Sequence, residues 1–292
     1  MNLILKSRAA VAGGVFLMLW PMRAIAAPEF GYVYTAELER PGESEIEAWA
    51  TERGGIGDGH YDAEDYRIEL ERGVSPHFQL SGYVLFSGHH VRPSSGASNS
   101  VERDVAFDGF SGEVQYQLRS PENGRLGIAV YAEPEWSRIS EVSGKKSTEF
   151  ALELKAIAQK NFLADRLVWA ANLTLEPEWH PLQGGNTPGI SSESQKELAA
   201  EISTGLAYRV ARHWWLGAEG RYQSVYPDWT HGLHRQNYAV QAGPMLHFDS
   251  GRWAATASFL PQLFGSPAKE GPSLELPDHQ KSELRIKLSL EL

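Results

Sequence analysis

The chain has 292 residues, no cysteine and a formal net charge of −10. Its excess of acidic side chains argues against nucleic-acid binding, which depends on basic patches. The absence of cysteine excludes disulfides, thiol nucleophiles and thiolate metal sites.

Residues 1–26 have the pattern of a cleavable secretory signal peptide. Lys6 and Arg8 precede an apolar run over residues 9–20, and Ala24-Ile25-Ala26 is a small-x-small cleavage site. The run is shorter than the roughly 20 residues of a membrane-spanning helix. We therefore expect cleavage after Ala26, which leaves 24 basic and 37 acidic residues and a formal charge of −13.

Residues 27–43 come next and carry an aromatic patch that ends at Thr35, followed by Pro41-Gly42. Nothing in this stretch has a regular period. We expect a periplasmic lead-in, with room for a short hairpin at the mouth of the structure that follows.

From Ser44 onward, apolar and polar residues alternate in twelve segments, and a period of two predicts β-strands. The segments are 44–53, 63–72, 78–87, 110–119, 126–136, 148–159, 167–179, 197–210, 214–226, 237–248, 253–263 and 283–292. Charged residues such as Glu113 and Arg119 would cost several kcal/mol each inside a soluble sandwich. A water-filled lumen removes that cost, and a lipid-facing barrel requires this alternation. The prediction is an all-β, transmembrane antiparallel up-and-down barrel of twelve strands over residues 44–292.

The connections and the aromatic residues agree with a barrel. Connections after even-numbered segments are short and several after odd-numbered ones are long, as periplasmic turns and external loops are. Both termini then fall on the periplasmic side. Trp136 and Trp179 mark one predicted lipid interface, and Trp214 and Trp253 mark the other.

Three stretches carry a resemblance to known proteins: Gly31-Tyr32-Val33-Tyr34-Thr35-Ala36-Glu37, Gly59-His60-Tyr61-Asp62 and the closing segment. The chain resembles bacterial outer-membrane β-barrels over residues 43–292, and these stretches are similar to a family of uncharacterised proteobacterial barrels. The resemblance implies the barrel fold and a location in a Gram-negative outer membrane. It does not indicate any particular activity.

Charged residues on the predicted inner face suggest what the lumen does. Rings of carboxylates select for cations, so we expect a small porin-like passive channel that prefers small cationic or polar solutes. The alternative is that these charges pair and plug the barrel, because twelve strands lie between filled eight-stranded and open sixteen-stranded barrels. The lumen candidates are Glu113, Glu133, Glu135, Glu149, Glu153, Lys155, Glu176, Glu178, Glu201, Glu219, Arg221 and Arg285.

Histidines in the predicted external loops are weak metal candidates, since imidazole suits Zn, Cu and Ni. They are His89, His90, His231 and His234. Neither pair has a diagnostic spacing, so a metal-binding or purely structural surface protein stays an alternative, and no cofactor is expected.

A phospholipase-like or protease-like hydrolase at the external rim is a further alternative. Its candidates are Ser87, His89, His90 and Asp104. The chain has neither Gly-x-Ser-x-Gly nor His-Glu-x-x-His, so no catalytic residue is assigned and a non-enzyme is expected.

The closing segment begins at Glu283 and ends at Leu292, and it alternates without an error. The expected partners are outer-membrane lipid and the barrel-assembly machinery, which the resemblance links to this last strand. Barrels of the class usually end in an aromatic residue, so Leu292 is a departure that bears on the efficiency of insertion.

Overall fold

A computed structural model describes residues 30–57, 59–94, 100–180, 195–268 and 273–292. The expected signal peptide lies outside the described residues. Within them, no helix is long and apolar enough to cross a membrane. Among the described residues, a 3-10 turn at Glu122–Gly124 is the one helical element beside the strands.

The described residues form twelve strands. They are β1 Ser44–Gly54, β2 Gly59–Ser75, β3 Phe78–Pro93, β4 Val101–Arg119, β5 Leu126–Ile139, β6 Lys146–Phe162, β7 Leu167–His180, β8 Gln195–Ala211, β9 Trp214–Pro227, β10 Asn237–Asp249, β11 Trp253–Ser266 and β12 Ser282–Glu291. Each strand pairs antiparallel with its sequence neighbours, and β1 pairs with β12, so the sheet closes into a barrel. The predicted fold class is confirmed.

Closure joins the first strand to the last. Ile46 lies opposite Leu290, and Ala48 lies opposite Leu288. The other edge of β12 pairs with β11, where Trp253 also lies opposite Leu290. The closing strand thus has the two neighbours that its place in the chain predicts, and the barrel has no free edge.

The two faces of the wall differ as the alternation predicts. Ile202 is 57% exposed and Leu288 is 52% exposed, whereas their sequence neighbours Ser203 and Ser289 are each 1% exposed. Because the apolar side chains point outward on every side, the outer face suits lipid and the inner face carries the polar groups.

The barrel has two distinct ends. At the turn end, connections are short and the strand β1 begins; at the loop end, several connections are longer. Aromatic side chains gather outside both ends, with Trp136 and Phe110 at 5.0 Å near the loop end and Trp214 and Phe248 at 4.8 Å near the turn end. These contacts fit the two predicted girdles.

Strands β3 and β4 extend further toward the loop end than the sequence predicts. Strand β3 reaches Pro93 and β4 starts at Val101, so part of the expected loop over residues 88–108 is strand. Glu102 bonds both His90 and Arg92 across this hairpin, at 2.9 and 2.6 Å. Where a hairpin is polar on its outward face too, the apolar alternation that marks a strand disappears.

Candidate functional site

A segment we call the strap, residues 30–41, lies inside the barrel. It is fixed at the turn end, where the N–H of Gly42 donates to the carbonyl of Gly73 at 2.8 Å. From there it runs into the lumen, and Phe30, Tyr32 and Ala36 are buried. The described part of this stretch thus lies inside the lumen, whereas the sequence predicts a periplasmic lead-in or a mouth hairpin over residues 27–43. The physical reason is that wall side chains offer the strap backbone many hydrogen-bond partners.

One end of the strap is held by a single carboxylate. Glu219 of β9 accepts the backbone N–H groups of Gly31, Tyr32 and Val33 at 2.9, 2.7 and 3.1 Å. The hydroxyl of Ser258 also donates to Glu219, at 2.5 Å. Several N–H donors on one carboxylate make a strong charge-assisted contact, so Glu219 binds the strap instead of facing a pore.

The middle of the strap is held by side-chain amides. Asn172 of β7 accepts the N–H of Tyr34 at 2.7 Å and donates to its carbonyl at 2.9 Å. Gln159 accepts the N–H of Ala36 at 2.8 Å, and Gln117 donates to the Ala36 carbonyl at 2.7 Å. These contacts replace the water that an extended segment would otherwise bind.

Sequence reasoning missed these amides because it counted charges. The signal was present, since inward positions of β3, β4, β6 and β7 carry an unusual run of Asn and Gln. The residues that contact the strap backbone or its Glu37 are Gln79, Gln115, Gln117, Gln159, Asn161 and Asn172.

Phe30 gives the strap an apolar anchor. It packs with Val33 in a cluster that includes Trp215 and Met245 of the wall. A Cβ on Gly205 would lie 2.6 Å from the Phe30 ring, so glycine provides the space that the ring occupies.

Inside the lumen, cationic side chains of the wall lie against the faces of aromatic rings of the strap and wall. The guanidinium groups of Arg285 and Arg221 lie 4.1 and 4.7 Å from the centre of the Tyr32 ring. Lys155 lies 4.3 Å from the Tyr34 ring, and Arg285 also lies 5.0 Å from the Trp49 ring. Cations at these distances are attracted to the ring faces, so the rings and cations form one layer.

This aromatic layer separates two cavities. A loop-end chamber has a volume of about 1060 Å³, and a turn-end cavity has a volume of about 180 Å³. Tyr32, Tyr34 and Trp49 line both. The strap therefore forms the partition between the two ends of the lumen.

The loop-end chamber is acidic. Fourteen Asp or Glu residues line it against eight Lys or Arg residues. Many pair: Arg221 contacts Glu201 at 2.8 Å and Glu283 at 2.6 Å, and Arg67 contacts Glu133 and Glu135 at 3.4 Å. Pairing lowers the net field without cancelling it, because acids remain in excess.

Two external connections fold into this chamber. In the β5–β6 connection, the Glu141 carbonyl accepts hydrogen bonds from Arg53, Tyr61 and His89 at 3.2, 3.0 and 3.2 Å. In the β11–β12 connection, His279 is 6% exposed, and its Nε2 lies 3.0 Å from Asn237 Oδ1. Burial lowers the pKa of His279 to about 4.

The predicted lumen residues all lie inside the barrel, although in three different places. Glu113 lines the turn-end cavity, and Glu219 holds the strap. The remaining ten line the loop-end chamber: Glu133, Glu135, Glu149, Glu153, Lys155, Glu176, Glu178, Glu201, Arg221 and Arg285.

The histidine candidates do not form a metal site. His89 is fully buried on the inner face of β3, whereas the adjacent His90 points to the opposite face and pairs with Glu102. His231 contacts Asp228 at 2.8 Å in an exposed turn. In the described part of the chain, no three His, Asp or Glu side chains gather closely enough to hold a metal.

The hydrolase candidates are also divided by strand alternation. Ser87 and His89 are buried inside, while His90 and Asp104 lie on the outer side. A nucleophile, base and orienting acid must share one face, and this set does not.

Comparison with known proteins agrees with the geometry. The crystal structure of the COG4313 outer membrane channel from Pseudomonas putida F1 has a TM-score of 0.56 at 11% identity, covering 88% of this chain and 98% of that one. The beta domain of the Bordetella autotransporter Brka has a TM-score of 0.54 at 10% identity, covering 86% and 100%. The translocator domain of the autotransporter NalP from Neisseria meningitidis has a TM-score of 0.51 at 9% identity, covering 87% and 90%.

These likenesses establish the fold alone. No curated protein matches the sequence. The model of a family of unknown function, DUF6662, matches residues 26–292. The chain therefore belongs to the DUF6662 family, and its fold is that of a bacterial outer-membrane β-barrel.

Proposed function

We propose that this protein is a non-enzymatic outer-membrane channel for small cationic solutes, closed by its own strap. The observation that carries the proposal is the position of Tyr32 and Tyr34, which line the chamber on one side and the turn-end cavity on the other. Movement of the strap would join the two cavities into one path across the barrel.

The charge of both cavities supports the preference for cations. The turn-end cavity is lined by one lysine, Lys287, and by seven acids, namely Glu37, Glu39, Glu45, Glu47, Glu69, Glu71 and Glu113. Acidic clefts with low-dielectric walls concentrate cations and repel anions. A cation is thus favoured on each side of the partition.

The strap is held in a way that permits movement. Hydrogen bonds from wall side chains hold most of its length; the neutral ones contribute about 1 kcal/mol net each, and the charge-assisted bonds to Glu219 contribute about 1.5–3 kcal/mol each. Barrel closure depends on β1 and β12, which pair along their whole length without the strap. Release of the strap would therefore leave the wall intact.

The similar fold of the Pseudomonas putida F1 protein, which is described as an outer membrane channel, supports the same reading. The autotransporter domains share the fold as well, so the fold alone does not distinguish a channel from other roles. The proposal therefore depends on the strap and on the acidic cavities. The alternative that the geometry favours second is a permanently plugged barrel, because the strap blocks the lumen between the two cavities.

A tether experiment separates these two roles. The chain has no cysteine, so Phe30→Cys with Gly205→Cys places the chain's only thiols at the contact between strap and wall. In planar bilayers, the reduced protein should show ion-conducting openings, and a short bifunctional thiol reagent should abolish them. A Phe30→Cys single variant treated with the same reagent is the matched control. Silence of the reduced and wild-type proteins would overturn the channel and favour the plug.

Ion preference is tested separately. The reversal potential across a salt gradient should indicate cation selectivity in wild type. It should move toward zero when Glu176 and Glu197, on the chamber wall, are changed to Gln. An unchanged reversal potential would remove these carboxylates from the selectivity assignment.

A further inference from the structure

One wall of the loop-end chamber carries a ladder of acids on β7 and β8. Glu178 lies directly opposite Glu197, and Thr174 lies opposite Glu201. Glu176 faces the small side chain of Ala199. Like charges directly opposite in a sheet destabilise it, and Ala199 leaves free volume next to Glu176. A bound cation would relieve the repulsion between these acids, and the volume beside Glu176 would accommodate it.

Two acids of this ladder have no cation in direct contact, and Lys155 and His180 reach them only through longer-range attraction. Glu178 contacts His180 at 3.2 Å, and Glu201 contacts Arg221 at 2.8 Å. Among the residues that the structure describes, Glu176 and Glu197 form neither an ion pair nor a hydrogen bond. Their carboxylates remain available as acceptors inside the chamber.

Two hydroxyl groups near the ladder point to a ligand independently. Thr174 and Tyr32 line the chamber and are only 5% and 6% exposed. Neither Thr174 Oγ1 nor Tyr32 Oη has a hydrogen-bond partner within the described residues. An unsatisfied buried polar group is costly, and a bound molecule with N–H groups would remove that cost.

The lumen already binds one primary ammonium group. Lys155, which lies opposite Thr174, pairs with Glu153. Its Nζ also lies 4.3 Å from the Tyr34 ring and 4.4 Å from the Tyr131 ring. The described acids do not converge into a cluster that could hold a metal. The chemistry of the wall therefore matches organic ammonium groups better than a metal ion.

We infer that this wall is a binding subsite for linear aliphatic diammonium compounds. Glu176 and Glu197 are diagonal neighbours on β7 and β8, and diagonal neighbours in a sheet are about 7–8 Å apart, which matches diamines whose nitrogens are separated by four or five carbons. One ammonium group binds Glu176, within reach of the Thr174 hydroxyl, and the other binds Glu197 beside Glu178. This inference rests on the proposed role of the chamber as the mouth of a cation channel, and it names the class of solute.

Binding is measured by calorimetry with putrescine as the probe, on the whole folded barrel in detergent. Wild type should bind saturably, and Glu176→Gln with Glu197→Gln should weaken binding about tenfold or more. Thr174→Val should weaken binding less, and Thr174→Ser should restore it. Glu71→Gln, which removes one carboxylate from the turn-end cavity, should leave binding unchanged.

The comparison probes are butylamine and Mg²⁺. Butylamine, with one ammonium group, should bind more weakly than putrescine. Equal binding of Mg²⁺ and putrescine, or equal binding by wild type and the double variant, would overturn the subsite. Binding of putrescine by a barrel that never conducts would leave the subsite standing and remove the channel; conductance without binding would do the reverse.

Discussion

Asn172 on the wall and Tyr34 in the strap form two hydrogen bonds through one side-chain amide. The amide oxygen accepts the Tyr34 N–H at 2.7 Å and the amide nitrogen donates to the Tyr34 carbonyl at 2.9 Å. The side chain thus takes the place of a neighbouring strand's peptide group. Asn172 is 3% exposed, so these bonds form where water competes least.

Removing this amide should loosen the strap. In Asn172→Ala both hydrogen bonds to Tyr34 are lost, which should favour the released strap by about 2 kcal/mol, or roughly 30-fold in its equilibrium. Single-channel recording should show a higher open probability, and hydrogen exchange of the strap amides should rise. Leu173→Ala alters the adjacent lipid-facing position and should change neither. An open probability that stays at the wild-type value in Asn172→Ala would mean that the strap does not control conduction.

Crowding at Gly31 gives a second way to displace the strap. An added Cβ at Gly31 would lie 2.4 Å from Ser258 Oγ and 2.6 Å from Ser258 Cβ. Gly31→Ala should therefore move the strap away from Glu219 and raise hydrogen exchange at Tyr32 and Val33. Ser258→Gly removes both clashing atoms, so the double variant should recover most of the protection. If the double variant exchanges as fast as Gly31→Ala, the displacement has another cause.

The wall could be predicted from sequence because its rule is local. Along β12, the polarity of each residue from Leu284 to Leu290 predicts which face of the wall it occupies. The number of such alternating segments then predicts a closed barrel. The same rule, applied to His89 and His90, already places them on opposite faces and excludes a shared metal.

The strap could not be predicted because its partners are remote in sequence. Gly31 bonds Glu219, 188 residues away, and Tyr34 bonds Asn172, 138 residues away. No period marks an extended segment whose contacts come from many strands. The one signal in the sequence was the run of inward-facing amides such as Gln115 and Gln117. Side-chain amides can donate to and accept from peptide groups, and the structure shows a peptide segment beside them.

Acid should release the β11–β12 connection. Neutral His279 is buried there and its Nε2–H donates to Asn237 Oδ1 at 3.0 Å. Its pKa is lowered to about 4, chiefly by burial, while Asp278 opposes the shift and Arg221 adds to it. Because the pKa is lower in the docked state than the ordinary 6.5, docking is strongest above pH 6.5. It should weaken by up to about tenfold per pH unit as the pH falls toward 4.

Hydrogen exchange of residues 273–281 measures this release. Protection in wild type should fall across the window between pH 6.5 and about 4, after correction for the intrinsic exchange rate. His279→Gln keeps a donor for Asn237 and has no titrating group, so its protection should be flat with pH. Wild-type protection that is equally flat would show that His279 does not control the connection.

The lipid-facing wall predicts a depth-dependent penalty for charge. Ile202 points outward and is 57% exposed, in the middle of β8, where it lies opposite Leu173 and Tyr222. Ile202→Arg should destabilise the barrel by about 2–4 kcal/mol, the cost of a guanidinium near the centre of a bilayer. Folding into lipid vesicles, followed by the heat-modifiable gel shift across a denaturant series, measures the change, and Ile202→Leu is the control. An Ile202→Arg barrel as stable as the control would mean that this face does not contact lipid.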